Sequence, residues 1–162
     1  MIREATTQDL PEILVIYNHA IVHTTAVYTY DETTLEERQQ WFIDKVIAGI
    51  PVYVYIHDAK IVGFATYGSF RNWPAYQYTV EHSIYVHPDY QRMGIASRLL
   101  KQLEETLIAR GYQTVVAGID SANKGSRELH ERHGFTHVGT LKKVGFKFDQ
   151  WLDLAFYQKQ LK

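Results

Sequence analysis

A loop centred on one glycine, Gln91-Arg92-Met93-Gly94-Ile95-Ala96, stands between a predicted strand and a predicted helix. Glycine at position 94 lets the backbone turn tightly and approach a ligand with no Cβ in the way. The helix that begins here presents unpaired N–H groups and the positive end of its dipole. These features favour a bound anion such as a pyrophosphate.

The loop matches neither of the common glycine-rich nucleotide motifs. The chain has no Gly-x-Gly-x-x-Gly, and no Gly-Lys-Ser/Thr follows four residues after a glycine. A single glycine before a helix is also typical of an ordinary turn. The loop alone therefore indicates only an anion at a helix start, with Arg92 and Arg98 able to add charge at its rim.

Two titratable side chains could move protons near this loop. Glu81 is the one carboxylate of a predicted strand that ends just before the loop. An amine is mostly protonated at neutral pH, and a partly buried carboxylate can take its proton. His130, in a predicted helix, titrates near neutral pH and could act as base or acid. The alternatives are a surface glutamate paired with a lysine and a histidine packed on the sheet.

The elements that position these groups follow from hydrophobic periodicity and turn residues. A capping box, Thr34-Leu35-Glu36-Glu37, starts the second helix. Helices are predicted at 7–22, 35–48, 96–110 and 124–133. Strands are predicted at 2–5, 51–57, 61–70, 78–86, 114–119, 135–141 and 151–158, with 142–150 as a connection.

This order predicts an α/β fold. We expect a mixed, largely antiparallel twisted sheet with a central right-handed strand–helix–strand crossover and helices on both faces. The 162 residues suit a single domain, 1–162.

Composition excludes several classes of protein. The net charge of −1 gives no reason to expect nucleic acid or a membrane surface as partner. The lack of cysteine excludes a disulfide scaffold, a thiolate nucleophile and a zinc–cysteine site. The two histidines of His130-Glu131-Arg132-His133 have no obvious third ligand, so no metal is expected. Without a signal peptide or long apolar run, a cytoplasmic location is expected.

Two blocks resemble the GNAT superfamily of acetyl-coenzyme A-dependent N-acetyltransferases. The first is Gln91-x-x-Gly94-x-Ala96, and the second runs from Asn123 through a short helix to Gly134-Phe135. Residues 78–86, Leu129-His130-Glu131, and Gly145-Phe146-Lys147 with Trp151 are similar to the phosphinothricin acetyltransferase branch. The resemblance covers nearly the whole chain. It implies small amino-acid-like acceptors of the phosphinothricin, methionine sulfoximine or methionine sulfone type.

The resemblance also implies roles for matching residues. Glu81 occupies the place of the general base, and His130 that of the acid for the departing thiolate, although which of them makes which transfer stays open. A backbone N–H in residues 84–86 could stabilise the oxyanion. Cofactor contacts are expected from Ile84, Tyr85, Val86, Arg92, Met93, Gly94, Ile95, Ala96, Ser97, Asn123 and Ser126.

Aromatic and cationic residues predict the acceptor pocket. Arg71 or Asn72 could bind a substrate carboxylate, and Lys147 is another candidate for an anionic group. Acceptor contacts are expected from Tyr28, Tyr30, Arg71, Asn72, Trp73, Glu81 and His82, although strand alternation turns His82 away from Glu81. A homodimer is expected, with the aromatic segment 151–157 as a candidate interface.

Two other functions compete with a small-molecule acetyltransferase. A protein N-terminal acetyltransferase would need an open peptide groove, whereas the near-neutral charge and the aromatic loops 28–30 and 71–76 favour a closed pocket. A non-catalytic acetyl-coenzyme A-binding module would need the loop but neither Glu81 nor His130.

Overall fold

The computed structural model describes all 162 residues, with seven strands in one sheet and four α-helices packed on it. The helices are α1 Leu10–His23, α2 Leu35–Ile47, α3 Ile95–Ala109 and α4 Lys124–Arg132. The strands are β1 Ile2–Glu4, β2 Tyr53–His57, β3 Lys60–Ser69, β4 Thr79–Val86, β5 Thr114–Asp120, β6 Thr136–Lys147 and β7 Gln150–Gln160. None of the helices combines the length and apolar character needed to cross a bilayer.

The strand order across the sheet is β1-β2-β3-β4-β5-β7-β6. Every neighbouring pair is antiparallel except β4 and β5, which are parallel and joined through α3. The predicted mixed, largely antiparallel sheet with one central crossover is confirmed.

Two apolar clusters hold the helices on opposite faces of the sheet. Four leucines of α3 are fully buried against Val80 of β4 and Val115 of β5, and we call this side the α3 face. Helices α1 and α2 pack on the other side, the α1–α2 face, against residues such as Phe64 of β3. Because successive side chains of a strand point to opposite faces, Glu81 and His82 of β4 lie on different faces of the sheet.

The predicted capping box is present at the start of α2, where the Thr34 side chain accepts from the Glu37 N–H over 3.1 Å.

The last hairpin is longer than the sequence predicts. Residues 142–147 and residue 150 belong to β6 and β7, and only Phe148 and Asp149 form the turn, both with positive φ. A register shift between Leu141 and Gly145, with Lys143 at φ 53°, disturbs the alternation of β6. A bulge of this kind breaks the period-two pattern on which strand prediction depends.

Candidate active site

A gap between β4 and β5 is the central feature of the site. The two parallel strands pair only where residues 79–81 lie beside residues 114–116, and past this point they diverge. The rest of β4 keeps only its β3 neighbour. One edge of a central strand is thus free to bond a ligand in an extended conformation.

The alternation of the β3–β4 ladder decides which groups face this gap. The His87 N–H donates to the Val62 carbonyl over 2.8 Å, so the odd-numbered residues of β4, Tyr85 among them, bond β3. The intervening residues turn their N–H and C=O the other way. Ile84 and Val86 therefore present their backbone to the gap. Tyr85 does not, and its side chain lies on the α1–α2 face.

The predicted phosphate loop closes one end of the gap. Arg92 and Gly94 both have positive φ, 62° and 78°, and α3 begins directly after them. A Cβ at Gly94 would meet nothing within 4 Å, so glycine is required here by its backbone angle and not by crowding. No side chain caps α3, which leaves its first N–H groups, from Ile95 to Ser97, available to an anion.

The other side of the gap carries Asn123, which follows β5. Its side-chain oxygen accepts from the Ser126 N–H over 3.1 Å and caps α4. Ser97 of α3 and His133 at the end of α4 are joined by a 2.6 Å hydrogen bond. This hydrogen bond links the two sequence blocks directly, because it joins the first turn of α3 to the end of α4.

Glu81 lies half-buried on the α1–α2 face, at the point where the strands separate. Burial raises the pKa of its carboxyl above the ordinary value of 4.5. Gly118 of β5 lies beside it: a Cβ there would stand 3.3 Å from Glu81 Oε2 and within 4 Å of Leu154 and Phe156. Without a side chain, Gly118 lets the carboxylate approach the backbone of β5, and the glycine itself remains exposed. It was not predicted, although a glycine inside an apolar strand signals such a close approach.

Asp120 is a second carboxylate on the same face, at the end of β5. It accepts from the Thr25 hydroxyl and from the Ala122 N–H, the latter over 3.2 Å. Burial, with the charges of Asp120 and Asp153, raises the pKa of the nearby Tyr28 hydroxyl to about 12. Asp120 was also missed in the sequence. It ties the loop after α1 to the sheet beside Gly118.

His130 lies on the α3 face, buried against Phe135 and Tyr157. Its Nδ1 is 2.7 Å from the Ser126 carbonyl, which can only accept, so Nδ1 carries the proton. Burial lowers the pKa of both His130 and His82, the latter to about 4, so both rings are neutral. His130 Nε2 is then an acceptor, and it receives the Nε2–H of His82 over 3.0 Å.

This arrangement corrects one predicted contact and constrains another. His82 cannot touch an acceptor beside Glu81, because it is only 8% exposed and lies on the opposite face. Its Nδ1 has no partner at all. Both nitrogens of His130 are engaged within the protein, and its ring and the Glu81 carboxylate are on different sides of the sheet.

The remaining predicted acceptor residues fall into two separate groups. The hydroxyls of Tyr28 and Tyr30 donate to backbone carbonyls of Asp153 and Phe146 in the β6–β7 hairpin. The residues Arg71, Asn72 and Trp73 line a cavity of about 330 Å³ at the start of β4, and Glu81 is not part of its wall. The structure brings only the first group to the end of β5 where Asp120 lies.

Lys147 does not bind an anion, contrary to the prediction. Its side chain is buried, and Nζ donates to the carbonyls of Ile21, Thr24 and Val27 over 2.5, 2.7 and 2.8 Å. An ammonium has three donors, and all three are used here. The residue fastens the end of α1 and the following loop to β6.

Comparisons with known proteins find relatives that share this sequence and fold over nearly the whole chain. The model of the acetyltransferase (GNAT) family matches residues 13–135. A methionine sulfoximine/methionine sulfone acetyltransferase of Pseudomonas aeruginosa is 42% identical over 161 residues, covering 99% of this chain and 94% of that protein. The crystal structure of an N-acetyltransferase from Staphylococcus aureus is 54% identical with a TM-score of 0.99, over 100% and 98% of the two chains. A phosphinothricin acetyltransferase from Sinorhizobium meliloti, solved with acetyl-CoA, is 33% identical with a TM-score of 0.96, over 99% and 87%.

Proposed function

The chain belongs to the acetyltransferase (GNAT) family, and we propose that it acetylates the amine of a small amino-acid-like acceptor. It is an acetyl-coenzyme A-dependent N-acetyltransferase. The relatives named for methionine sulfoximine, methionine sulfone and phosphinothricin support acceptors of that type. The observation that carries the proposal is the half-buried Glu81 carboxylate, placed beside Gly118 where β4 and β5 separate.

The residues along the gap fit acetyl-coenzyme A. The backbone groups of Ile84 and the Val86 N–H would pair with the amide-containing pantetheine arm, whereas the Val86 carbonyl already accepts from the Gln91 side chain over 3.1 Å. The uncapped N–H groups at the start of α3 would bind the pyrophosphate, next to Gly94. When bound, acetyl-coenzyme A supplies the thioester carbon that the amine attacks. An N–H of Ile84 or Val86 is suited to stabilise the charge that develops on the thioester oxygen.

Glu81 is the proposed general base. An acceptor amine arrives protonated, and the carboxylate removes its proton directly or through a water molecule. The raised pKa of Glu81 makes it a stronger base than an exposed glutamate and so better matched to an amine near neutral pH. Gly118 is exposed and has no side chain, so an amine can approach the carboxylate from this side.

The acid role of His130 remains a prediction. Proton delivery to the departing sulfur would require one of its ring nitrogens to leave Ser126 or His82. In the present arrangement His130 connects α4 to β4 along the gap. Its replacement by alanine separates these roles, because loss of an acid lowers kcat, whereas a loosened α4 mainly weakens cofactor binding.

A free-thiol release assay tests the function. The panel contains methionine sulfone, methionine sulfoximine, phosphinothricin and short peptides with a free amino terminus, each with acetyl-coenzyme A. We expect thiol release with the amino-acid analogues and little with the peptides. Release with peptides alone would favour a protein N-terminal acetyltransferase. Cofactor binding with no release for any amine would favour a binding module.

A homodimer in the cytoplasm completes the proposal. β6 is an edge strand, and the β6–β7 hairpin exposes several large apolar side chains, a pattern typical of an interface. These side chains are Val138, Leu141, Val144, Phe146, Phe148 and Trp151. Within the predicted segment 151–157 only Trp151 is exposed, so the interface would extend along β6 instead. Sedimentation of the wild type and of Val144→Glu measures whether the chain is a dimer and whether a charge on this surface separates the two copies. Cell fractionation measures the location.

A further inference from the structure

Arg38 of α2 is a buried cation on the α1–α2 face. The side chain is only 7% exposed, and its guanidinium lies 4.0 Å from the ring centre of Tyr17 and 4.2 Å from that of Trp41. Stacking on two aromatic rings fixes the plane of the guanidinium. Burial lowers the pKa of Arg38, but a guanidinium stays charged at any physiological pH. The fold therefore holds a positive charge in a defined orientation.

No anion of the protein neutralises this charge. Arg38 takes part in none of the ion pairs of the chain, and its Nε has no hydrogen-bond partner. The carboxylate of Glu37, its neighbour in sequence, accepts from the Thr34 N–H and forms no ion pair with Arg38, although its charge acts weakly on the pKa of Arg38. Buried charges are normally paired, because an unpaired one loses its hydration without compensation. An unpaired buried guanidinium thus indicates an anionic ligand.

A second, half-buried cation on the same helix lacks this feature. Lys45 lies two turns further along α2, and its Nζ donates to the Tyr67 carbonyl over 2.5 Å. Its charge has an acceptor within the fold, whereas Arg38 Nε has none. Lys45 is therefore a structural cation, whereas Arg38 has a donor that the fold does not use.

The surroundings of Arg38 connect it to Glu81. Tyr17, which Arg38 covers, packs edge-on against Tyr85 with ring centres 5.4 Å apart. Tyr85 and Glu81 share one strand and one face. Burial raises the pKa of the Tyr85 hydroxyl to about 12, with the charge of Glu81 acting in the same direction and that of Arg38 against it. One hydroxyl is therefore influenced by both a cation and a carboxylate.

We propose that Arg38 binds the carboxylate of the amino-acid acceptor, while Glu81 faces its amine. A zwitterionic amino acid carries these two opposite charges, and a guanidinium fork matches a carboxylate in geometry and charge. Tyr17 and Trp41 hold the fork in place. This inference rests on the proposed acetylation of small amino acids and makes the acceptor carboxylate a recognised group.

The test compares methionine sulfone with its carboxamide, which keeps the amine and the side chain but lacks the negative charge. The measured quantity is the ratio of kcat/KM for the two acceptors in one protein sample. This ratio does not depend on the folded fraction, so a destabilised variant still gives an answer. In Arg38→Gln we expect the preference for the carboxylate to fall about 10- to 100-fold, the range of a lost charged hydrogen bond.

Two variants complete the design. Arg38→Lys keeps the charge without the fork and should retain part of the preference. Lys45→Met removes the structural cation and should leave the ratio at its wild-type value. Equal loss of kcat/KM for both acceptors in Arg38→Gln, or no preference in the wild type, would overturn the carboxylate anchor alone. If the wild type acetylates neither acceptor, the proposed function itself fails, and the anchor fails with it.

Discussion

The Nε2 atoms of His82 and His130 lie 3.0 Å apart across the junction of β4 and α4, and one proton is shared between them. The Ser126 carbonyl fixes the proton of His130 on Nδ1, which makes His82 the donor in this pair. The bare Nδ1 of His82 has no partner and is the one ring nitrogen of the pair left to accept a proton. The pair therefore has a single arrangement as long as both rings are neutral.

Stability should fall in acid because of His82. Its pKa is lowered from 6.5 to about 4 in the folded protein, so the unfolded chain binds a proton that the native state does not. The free energy of unfolding is therefore unaffected by His82 above pH 6.5, and it decreases as the pH falls toward 4, by roughly 3 kcal/mol at most. Urea unfolding between pH 7 and pH 4 measures it. In His82→Gln the free energy of unfolding should depend less on pH, and an unchanged slope would contradict the assignment.

Replacement of Glu81 by glutamine should lower kcat/KM for the acceptor by about 10²- to 10⁴-fold. The affinity for acetyl-coenzyme A should not change, since Glu81 lies away from the phosphate loop. The wild-type rate should decrease as the pH falls through the raised pKa of the carboxyl, because a protonated Glu81 cannot accept a proton. This acidic limb should be absent from the pH profile of Glu81→Gln. Full activity of the variant at every pH would remove Glu81 from the mechanism.

Gly94 and Gly111 provide a matched pair at the two ends of α3. Both have positive φ, 78° and 82°, and neither would meet an atom within 4 Å through an added Cβ. Valine at either position should cost about 1–3 kcal/mol of stability through backbone strain. Only Gly94→Val should weaken acetyl-coenzyme A binding, by about tenfold or more. Calorimetric titration with acetyl-coenzyme A measures the affinity of each variant. Equal affinities of Gly94→Val and Gly111→Val would argue against a phosphate-binding loop at Gly94.

Alanine at Gly118 should reduce acceptor turnover selectively. Its Cβ would stand 3.3 Å from Glu81 Oε2, so the carboxylate must shift by a few tenths of an ångström. Small displacements of a catalytic group are costly, and we expect kcat/KM for the acceptor to drop about tenfold with an unchanged KM for acetyl-coenzyme A. Gly139→Ala is the control, because its Cβ meets nothing within 4 Å. Wild-type kinetics in Gly118→Ala would mean that the acceptor does not occupy this space.

Lys147→Met should destabilise the fold by about 2–4 kcal/mol, because three backbone carbonyls lose their charged donor. Lys142→Met removes an exposed ion pair with Asp153, 3.5 Å long, and should cost less than about 1 kcal/mol. Denaturant unfolding of both variants measures the difference. Equal, small losses would show that Lys147 does not hold the α1 end in place.

Several features were predictable because their causes are local in sequence. Apolar periodicity gave the order of helices and strands, and the Thr34 capping box gave the start of α2. Period-two alternation placed Glu81 and His82 on opposite faces. The turn at Gly94 was recognisable because a positive φ depends on the residue type itself.

The tertiary structure alone decided what the polar side chains do. Lys147 carries the same charge whether it binds an anion or backbone carbonyls. In the fold it binds three carbonyls that lie 120 to 126 positions earlier in the sequence. The partners of His130 and the absence of a partner for Arg38 depend on contacts between distant elements. The sequence determined the candidates, namely a glycine loop suited to an anion, one carboxylate in a central strand and a histidine in a short helix. Only the fold decided which of these groups face the gap, because burial and hydrogen bonding depend on neighbours in space.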